Sequence, residues 1–559
     1  MAFGRSTAFI RPAGNKTAWL LLFLLLSQLP GFGQATRKYL VLLRDKSGTP
    51  YSVGRPDQFL SQRSILRRQK QAIPVLERDL PVNPAYVTQL QQAGAKVWFT
   101  SRWLNAVLVE STDAAIAGIQ KLSMVKGLEF GRSLANARQD AYRPAISFPS
   151  VEQVGKFGEV QALNYGTSQA QVTQLGVDKM HQQGYHGEDM LIGVLDAGFL
   201  NADKVLFLKP LFDEKRVLAT YDFVKKETGV YEDDSHGLSC LSAIAATADN
   251  QLYGTAFKAK FVLLRTEDAG SESRLEEANW LFGAEFADSA GVDVISSSLG
   301  YTRFDDVTTS YTYQDLDGKT ALSTRAAQLA TEAGMVVVVA AGNEGNDAWR
   351  YLSAPSDAVS VLAIGAVNQA GQRASFSSFG PSADGRVKPD LVARGLGTVV
   401  GSPGGQILMA NGTSFATPLV AGLAAGFWQA HPRLTAAQLT AALRQSGSQF
   451  NNPDDQLGYG IPNFERASLL AEGMGEELLV YPNPFSEAEP LSVLWGEVET
   501  NVPLDATLTD LTGRIVWRRQ YEAGGLAAFS LPNLNLAAGM YVMTLVAGDK
   551  KRTVKIIKR

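Results

Sequence analysis

The sequence predicts an α/β protein built on a parallel sheet flanked by helices, preceded by a small α+β domain and followed by a β-sandwich. Apolar runs rich in β-branched residues recur between residues 164 and 474 without strict alternation, which is typical of strands buried on both faces. The stretches between these runs are rich in Ala, Leu and Glu and predict helices. Alternating strands and helices indicate a parallel sheet covered by helices on both faces.

The chain opens on a predicted secretory signal, residues 1–33. Arg5, Arg11 and Lys16 precede the apolar run 18–26, which is too short to span a membrane, and small residues follow it. No cysteine lies near the expected cleavage point. We therefore expect neither a lipid anchor nor a stable membrane span.

Residues 34–140 predict the small α+β domain. The expected strands are 38–43, 95–100, 105–110 and 125–130, and the expected helices are 56–71, 84–93 and 113–122. The basic run Arg67-Arg68-Gln69-Lys70 could form a nucleic-acid patch, but a solvated helix face is the favoured interpretation. Residues 141–163 are interpreted as a linker that is cut.

The central unit, residues 164–474, contains the predicted parallel sheet. Its expected strands are 190–195, 260–264, 292–295, 335–341 and 359–367, and its expected helices include 237–246, 273–289, 323–333 and 416–428. In such sheets ligands gather at the carboxyl ends of the strands. Asp196 and Asn343 both fall at such ends.

An Asp, a His and a Ser of this unit each lie within two residues of a glycine, in the strings Leu195-Asp196-Ala197-Gly198, Ser235-His236-Gly237 and Asn411-Gly412-Thr413-Ser414. Acyl transfer by a serine needs a hydroxyl, a base that takes its proton and a carboxylate that holds the base. The order Asp, His, Ser along the chain is one of three orders in which unrelated folds supply these catalytic residues. The other three histidines lie outside the interval between Asp196 and Ser414, which leaves His236 as the candidate base.

Ser414 precedes a predicted buried helix, so its hydroxyl would lie near the positive end of the helix dipole. Its backbone N–H would be free to bind a developing oxyanion. We expect Pro418 in the first helical turn, where its missing N–H costs little. An ordinary helix N-cap is the alternative for Ser414, and an exposed histidine before a helix is the alternative for His236.

These strings, above all Gly412-Thr413-Ser414-Phe415-Ala416-Thr417-Pro418, resemble the motifs of the subtilase family of serine proteases. The resemblance implies a subtilisin-like sheet and a secreted serine endopeptidase that works through an Asp196, His236 and Ser414 triad and an acyl-enzyme. It also implies that Asn343 donates its side-chain amide to the oxyanion hole beside the Ser414 N–H. A turn asparagine is the alternative for Asn343.

The resemblance further implies a substrate cleft. The substrate backbone would lie along Ser298, Leu299 and Gly300 as an added strand. Ala341 and Gly342 would complete the walls of the S1 pocket, and none of these five residues carries a charge.

Two residues depart from the family pattern. Ala197 follows Asp196 where Thr or Ser is usual, and Leu238 stands where Thr is usual. Neither change affects a group that transfers a proton, so an active enzyme is expected. The alternative is a catalytically degenerate scaffold that serves as a surface binding or adhesion protein.

Composition restricts the cofactors and partners. A net charge of −3 with no dominant basic patch argues against a nucleic-acid partner. The chemistry requires no cofactor. The insertion 301–320 carries four aspartates, and it is interpreted as a loop that borders the cleft, with a structural calcium site as the alternative. Cys240, the single cysteine, excludes an intrachain disulfide and is interpreted as a core residue rather than a modulator of the site.

The flanking domains carry their own resemblances. Residues 34–140, with strings such as Phe59-Leu60-Ser61 and Ser101-Arg102-Trp103, are similar to the propeptides of Bacteroidetes subtilases, which implies a zymogen whose propeptide chaperones and inhibits the enzyme. Residues 478–559 predict short strands separated by glycine turns. Their strings Tyr481-Pro482-Asn483-Pro484, Gly513-Arg514 and Gly539-Met540-Tyr541 resemble the C-terminal sorting domain of type IX secretion cargo, with an adhesive β-module as the alternative.

The expected partners are therefore protein or peptide substrates, the chain's own propeptide and the type IX secretion machinery. The expected location is outside the cell or on its surface.

Overall fold

A computed structural model of the chain describes residue 1 and residues 35–136, 163–473, 479–481, 483–485, 491–498, 502–521, 525–531 and 536–559. The predicted signal and nearly all of the predicted linker lie outside these residues, so both stay predictions.

Residues 35–136 fold into an α+β domain, as predicted. Its strands and α-helices are β1 (Thr36–Leu43), α1 (Gln62–Lys70), α2 (Pro84–Gln92), β2 (Lys96–Ser101), β3 (Ala106–Thr112), α3 (Asp113–Ile119), β4 (Val125–Leu128) and β5 (Ala135–Asn136). The strands pair in the order β2-β3-β1-β4, and β5 adds to β1. Leu90 of α2, Val107 of β3 and Ile119 of α3 belong to one buried cluster, which gives this domain a core of its own.

Helix α1 differs from its prediction in length and in burial. It begins at Gln62 rather than Pro56, because Ser61 Oγ caps it by accepting the Ser64 N–H at 3.1 Å. The solvated face predicted for the basic run is wrong for Arg67 and Arg68, which are 5% and 2% exposed. Both guanidinium groups pair with Asp288 of the central domain, which supplies the negative charge that their burial requires.

Residues 163–473 form the central domain. Its strands and α-helices are α4 (Gln169–Gln174), α5 (Val177–Gln182), β6 (Leu191–Asp196), α6 (Lys209–Asp213), β7 (Val217–Asp222), α7 (His236–Ala245), β8 (Thr247–Ala248), β9 (Leu252–Tyr253), β10 (Lys260–Arg265), α8 (Arg274–Ala290), β11 (Val294–Ser297), α9 (Leu322–Glu332), β12 (Val336–Ala340), β13 (Leu362–Val367), β14 (Leu391–Arg394), β15 (Thr398–Gly401), β16 (Ile407–Ala410), α10 (Thr413–Ala430), α11 (Ala436–Gln445) and α12 (Phe464–Gly473).

Seven of these strands form the predicted parallel sheet, in the order β14-β13-β12-β11-β6-β10-β7. Every residue of β6 is buried, which explains the absence of alternation in its sequence. Ile192 and Val194 face a core shared with α7 and α10, whereas Leu191 and Leu195 face a core shared with α8 and α9. The sheet is therefore covered on both faces.

Helix α10 begins at Thr413, three residues before its predicted start. The prediction that Pro418 lies in the first turn is therefore wrong, because Pro418 lies inside the helix. A proline there cannot donate to the carbonyl four residues earlier, which belongs to Ser414. That carbonyl finds other donors, described below.

The described C-terminal residues form the predicted antiparallel strands, β17 (Leu479–Tyr481), β18 (Ser492–Val498), β19 (Leu504–Asp510), β20 (Ile515–Tyr521), β21 (Gly525–Ser530), β22 (Gly539–Ala547) and β23 (Lys550–Lys558). They pair in two sheets, β17-β18-β21 and β20-β19-β22-β23. Leu504 and Leu508 of β19 and Met543 and Leu545 of β22 lie in a hydrophobic cluster within this domain. Among the described residues, none of the helices has the length and apolarity needed to span a bilayer.

Candidate active site

Asp196 and His236 lie in direct contact at the carboxyl edge of the sheet. Asp196 ends β6, which lies between β10 and β11, where the strand order changes direction. His236 begins α7, and its Nδ1 lies 2.7 Å from Asp196 Oδ1. Asp196 is fully buried, whereas 32% of the His236 side chain is exposed. The carboxylate thus holds one ring nitrogen and leaves the other for a proton acceptor role.

The two oxygens of Asp196 differ in their partners. Oδ1 also accepts the Ala197 N–H at 2.8 Å. Oδ2 is buried and has no hydrogen-bond partner among the described residues. Ala197, the next residue, has no side-chain donor to offer it, whereas a serine or threonine would carry a hydroxyl.

The surroundings of His236 are negatively charged. Burial acts to lower the pKa of His236, but the Asp196 carboxylate and Cys240 together outweigh it and raise that pKa well above its ordinary value. Glu267 lies in the same field, and burial, Glu272 and Asp196 raise the pKa of Glu267 to about 8. A higher pKa makes the neutral imidazole of His236 a stronger proton acceptor.

Ser414 is the second residue of α10, beside the pair of Asp196 and His236. The ring of His236 lies 5.7 Å from that of Phe415, the residue after Ser414. The Ser414 hydroxyl donates to Ser298 O at 3.3 Å in this structure. In this arrangement the hydroxyl hydrogen is directed to Ser298 O and not to His236.

The backbone of Ser414 is fixed by residues of two other elements. Its carbonyl oxygen accepts the Ser298 hydroxyl at 2.7 Å and the Cys240 thiol at 3.4 Å. Cys240 is fully buried, as predicted for a core residue, and its Sγ lies 3.8 Å from His236 Nδ1. The thiol thus contacts both His236 and the residue that bears the hydroxyl.

Asn343 follows β12 and contacts the residue before Ser414. Its Oδ1 accepts the Thr413 N–H at 2.9 Å and the Thr413 hydroxyl at 3.1 Å. With Oδ1 engaged, the amide NH₂ is the group left to donate to a substrate oxygen.

Sequence reasoning missed Glu344, which lies beside this group. Glu344 Oε2 accepts the Asn343 N–H at 2.8 Å and the Ser378 hydroxyl at 2.9 Å. The sequence signal that could have identified Glu344 was its position directly after Asn343.

The predicted cleft residues lie at the ends of β11 and β12. Ser298, Leu299 and Gly300 follow β11, and Ala341 and Gly342 follow β12. A Cβ at Gly300 would lie 2.1 Å from Ser353 Oγ, and Gly342 has a φ of +115°. Both positions therefore favour glycine, and the two segments leave neighbouring strands of the sheet.

Three of the four aspartates of the 301–320 insertion accept hydrogen bonds from within the insertion, and the fourth, Asp305, accepts the Glu272 N–H. Asp306 accepts from Thr308 N–H, Asp315 from Thr312 N–H, and Asp317 from Thr320 N–H, at 2.8 to 3.1 Å. Among the described residues, the grouping of three possible metal ligands is Asp196, His236 and Cys240. An ion there would occupy the carboxylate and imidazole that a proton relay needs.

Comparisons with known proteins agree with this architecture. The subtilase family, Peptidase S8, matches residues 187–460. The Peptidase S8 propeptide domain of Bacteroidota matches residues 38–144, and the secretion system C-terminal sorting domain matches residues 479–559.

Individual relatives agree with these matches. Subtilisin E of Bacillus subtilis (strain 168) is 33% identical over 312 residues, which cover 55% of this chain and 72% of that protein. Subtilisin of Bacillus pumilus is 33% identical over 55% of this chain and 99% of its own length. Serine protease AprX of Bacillus subtilis (strain 168) is 28% identical over 50% of this chain and 66% of its own. A Bacteroidota-type propeptide domain precedes the peptidase domain, and a secretion sorting domain follows it. The chain belongs to the subtilase family of serine endopeptidases.

Proposed function

We propose that Ser414 is the nucleophile of this endopeptidase, His236 its general base and Asp196 the carboxylate that orients His236. The contact of 2.7 Å between His236 Nδ1 and Asp196 Oδ1, beside the helix that begins with Thr413 and Ser414, is the observation that carries the proposal. It leaves His236 Nε2 to receive the Ser414 proton.

The reaction would follow from these positions. Ser414 Oγ bonds to the scissile carbonyl carbon as its proton passes to His236 Nε2, and the carbonyl oxygen becomes an oxyanion. The Ser414 N–H and the Asn343 amide donate to that oxyanion. The C–N bond then breaks as His236 returns the proton to the leaving amine, and water hydrolyses the acyl-enzyme by the same steps.

Substrate would bind along Ser298, Leu299 and Gly300 as an added strand. Ser298 and Leu299 are buried and Gly300 is exposed, so the segment would offer its backbone from Gly300 inward. This mode takes its affinity from main-chain hydrogen bonds. Ala341 and Gly342 would form the other wall of the S1 pocket. We propose protein or peptide substrates for this cleft.

The flanking domains would govern when and where the enzyme acts. Residues 34–140 would inhibit the catalytic domain until they are removed, and their contact with α8 supports this role. The sorting domain supports export to the cell surface or beyond, and the predicted signal would first carry the chain across the inner membrane.

We propose that the chemistry needs no cofactor and that any calcium is structural. Chelation by EDTA should leave hydrolysis of a short peptide intact when it is assayed well below the melting temperature. A lower melting temperature in EDTA would reveal a structural ion, whereas immediate loss of hydrolysis would contradict chemistry without a metal.

A fluorophosphonate probe tests the nucleophile. Labelling of the purified enzyme should map to the peptide that contains Ser414, and Ser414→Ala should abolish it. Peptide hydrolysis should fall by roughly 10⁶-fold, the loss known for the corresponding change in subtilisin.

Ser360→Ala removes an exposed hydroxyl of the same domain and serves as the matched control. Because Ser414→Ala also stops self-processing, its precursor is cleaved by affinity-tagged wild-type enzyme, which is removed before the assay. An enzyme that is folded but unlabelled would indicate a degenerate scaffold instead.

A further inference from the structure

A buried ionic cluster joins the N-terminal domain to α8. Asp288, in the last turn of α8, is fully buried and receives three guanidinium groups of the N-terminal domain. Arg68 Nη2 lies 2.9 Å and Arg102 Nη2 lies 2.6 Å from Asp288 Oδ2, and Arg67 pairs with Oδ1. Two of the arginines come from α1 and the third follows β2, so α8 binds both elements at one point.

The arginines also bind backbone carbonyls near the ends of two helices: Glu285 lies inside α8, Val292 lies just after it, and Ala333 is the C-cap of α9. Arg67 donates to Val292 O and to Ala333 O, and Arg102 donates to Glu285 O at 3.0 Å. Carbonyls at the end of a helix carry the negative pole of its dipole. The last turn of α8 contains no basic residue. The negative pole at the end of α8 is therefore not neutralised by a side chain of that turn.

The shape of the surface matches α1 as well. Gly291 and Gly334 follow α8 and α9 with φ values of +86° and +91°. A Cβ on Gly291 would lie 2.7 Å from Arg63 Cβ, and one on Gly334 would lie 2.7 Å from Gln71 Nε2. The absence of side chains at both positions lets α1 approach the two helix ends closely.

We propose that Asp288 is the recognition point by which the catalytic domain retains its own propeptide after the two have been cut apart. The partner it fits presents Arg67 and Arg68 on a helix with Arg102 from a turn beside it. This inference rests on the proposed role of residues 34–140 as an inhibitory propeptide, and it adds the residues that decide affinity and selectivity.

Charge and burial explain the selectivity. Burial acts to raise the pKa of Asp288, but Arg67, Arg102 and Arg68 outweigh it and lower that pKa, so the carboxylate is charged in the complex. A propeptide without these arginines would bury this charge unpaired, which is strongly unfavourable. Such a propeptide would bind weakly even if its fold were the same.

The test measures how fast the cleaved propeptide leaves. The full-length wild-type chain and each variant process themselves, the complexes are diluted, and the appearance of activity on a short fluorogenic peptide gives the release rate. Asp288→Asn should raise this rate roughly 10²-fold or more, because it removes the anion that pairs with the buried Arg67 and Arg102 guanidinium groups, while Arg68 keeps its second partner, Asp79.

If Asp288→Asn does not fold, the milder variant Arg102→Gln provides the test. The Arg102 guanidinium donates to Glu285 O and Ser289 Oγ and pairs with Asp288, all on α8. Arg102→Gln should therefore raise the release rate about tenfold while Arg67 and Arg68 still neutralise Asp288.

Glu332→Gln is the matched control across the same interface. Glu332 pairs with Arg78, but these side chains are 42% and 35% exposed, so the release rate should change less than about threefold. The inference is overturned if Asp288→Asn and Arg102→Gln release the propeptide as slowly as the wild type does. A wild-type chain that is fully active at the moment of cleavage would instead refute the inhibitory propeptide itself.

Discussion

Pro418 lies four residues after Ser414 in α10 and leaves the Ser414 carbonyl without its helical donor. The Ser298 hydroxyl takes that place at 2.7 Å, so the end of β11 is tied directly to the proposed nucleophile. A proline inside a helix, usually a defect, here frees a carbonyl for a contact between two elements.

Ser298→Ala should therefore destabilise the protein and reduce turnover. Loss of a donor to a buried carbonyl costs about 1–3 kcal/mol of unfolding free energy. We expect kcat to fall about tenfold, because a small displacement of the nucleophile lowers the rate. Thermal unfolding and steady-state kinetics measure both effects.

Ser296→Ala is the matched control for this change. Ser296 is buried in β11, two residues before Ser298, and its hydroxyl has no hydrogen-bond partner among the described residues. Equal losses in the two variants would show that the Ser298 contact has no special role.

Asn343→Ala should lower kcat by about 10²- to 10³-fold with little change in KM, the range known for the corresponding loss in subtilisin. Thr413→Val keeps the Thr413 N–H but removes the hydroxyl that also holds Asn343 Oδ1, so its loss should be smaller, about tenfold or less. A loss confined to KM would assign Asn343 to substrate binding instead.

The pH profile should reflect the raised pKa of His236. The base must be neutral to accept a proton, so kcat/KM rises as His236 deprotonates. Because Asp196 and Cys240 together raise this pKa well above its ordinary value, the midpoint of the rise should lie above about pH 6.5. A midpoint at or below that value would contradict the charged pair.

Ala197→Thr should shift this midpoint to lower pH. Its hydroxyl could donate to Asp196 Oδ2, which has no partner among the described residues, and a stabilised carboxylate raises the pKa of His236 less. Ala197→Val has the same shape without the donor and should leave the midpoint in place. Identical profiles for the two variants would show that Oδ2 has no influence on His236.

Deletion of residues from 478 onward should separate activity from export. The C-terminal strands have a hydrophobic cluster of their own, so the truncated enzyme should hydrolyse soluble peptides at the wild-type rate. In the native host it should accumulate in the periplasm, which cell fractionation with an activity assay measures. Normal export would refute the sorting role.

The sequence was most informative where function depends on neighbouring residues. The strings around Asp196, His236 and Ser414 predicted three positions that the fold brings to one edge of the sheet. The basic run of α1 was misjudged because the burial of Arg67 depends on Asp288, which lies 221 residues away. Nothing in a local pattern reveals such a partner.

The start of α10 was misplaced for a related reason. Pro418 favours a first-turn position when only its neighbours are considered. Its place inside the helix is stabilised by Ser298 and Cys240, which donate to the carbonyl that Pro418 leaves free. Contacts between distant elements overrode the local preference.

The proposed triad also sets the timing of activity. Asp196, His236 and Ser414 belong to three separate elements, β6, α7 and α10, and the last of these follows the sheet strands in the chain. A chain that is still extended holds the three residues apart, so it cannot cut its neighbours. The ability to cut would therefore begin only when the central domain is complete, and the bound propeptide would then delay its use on other proteins.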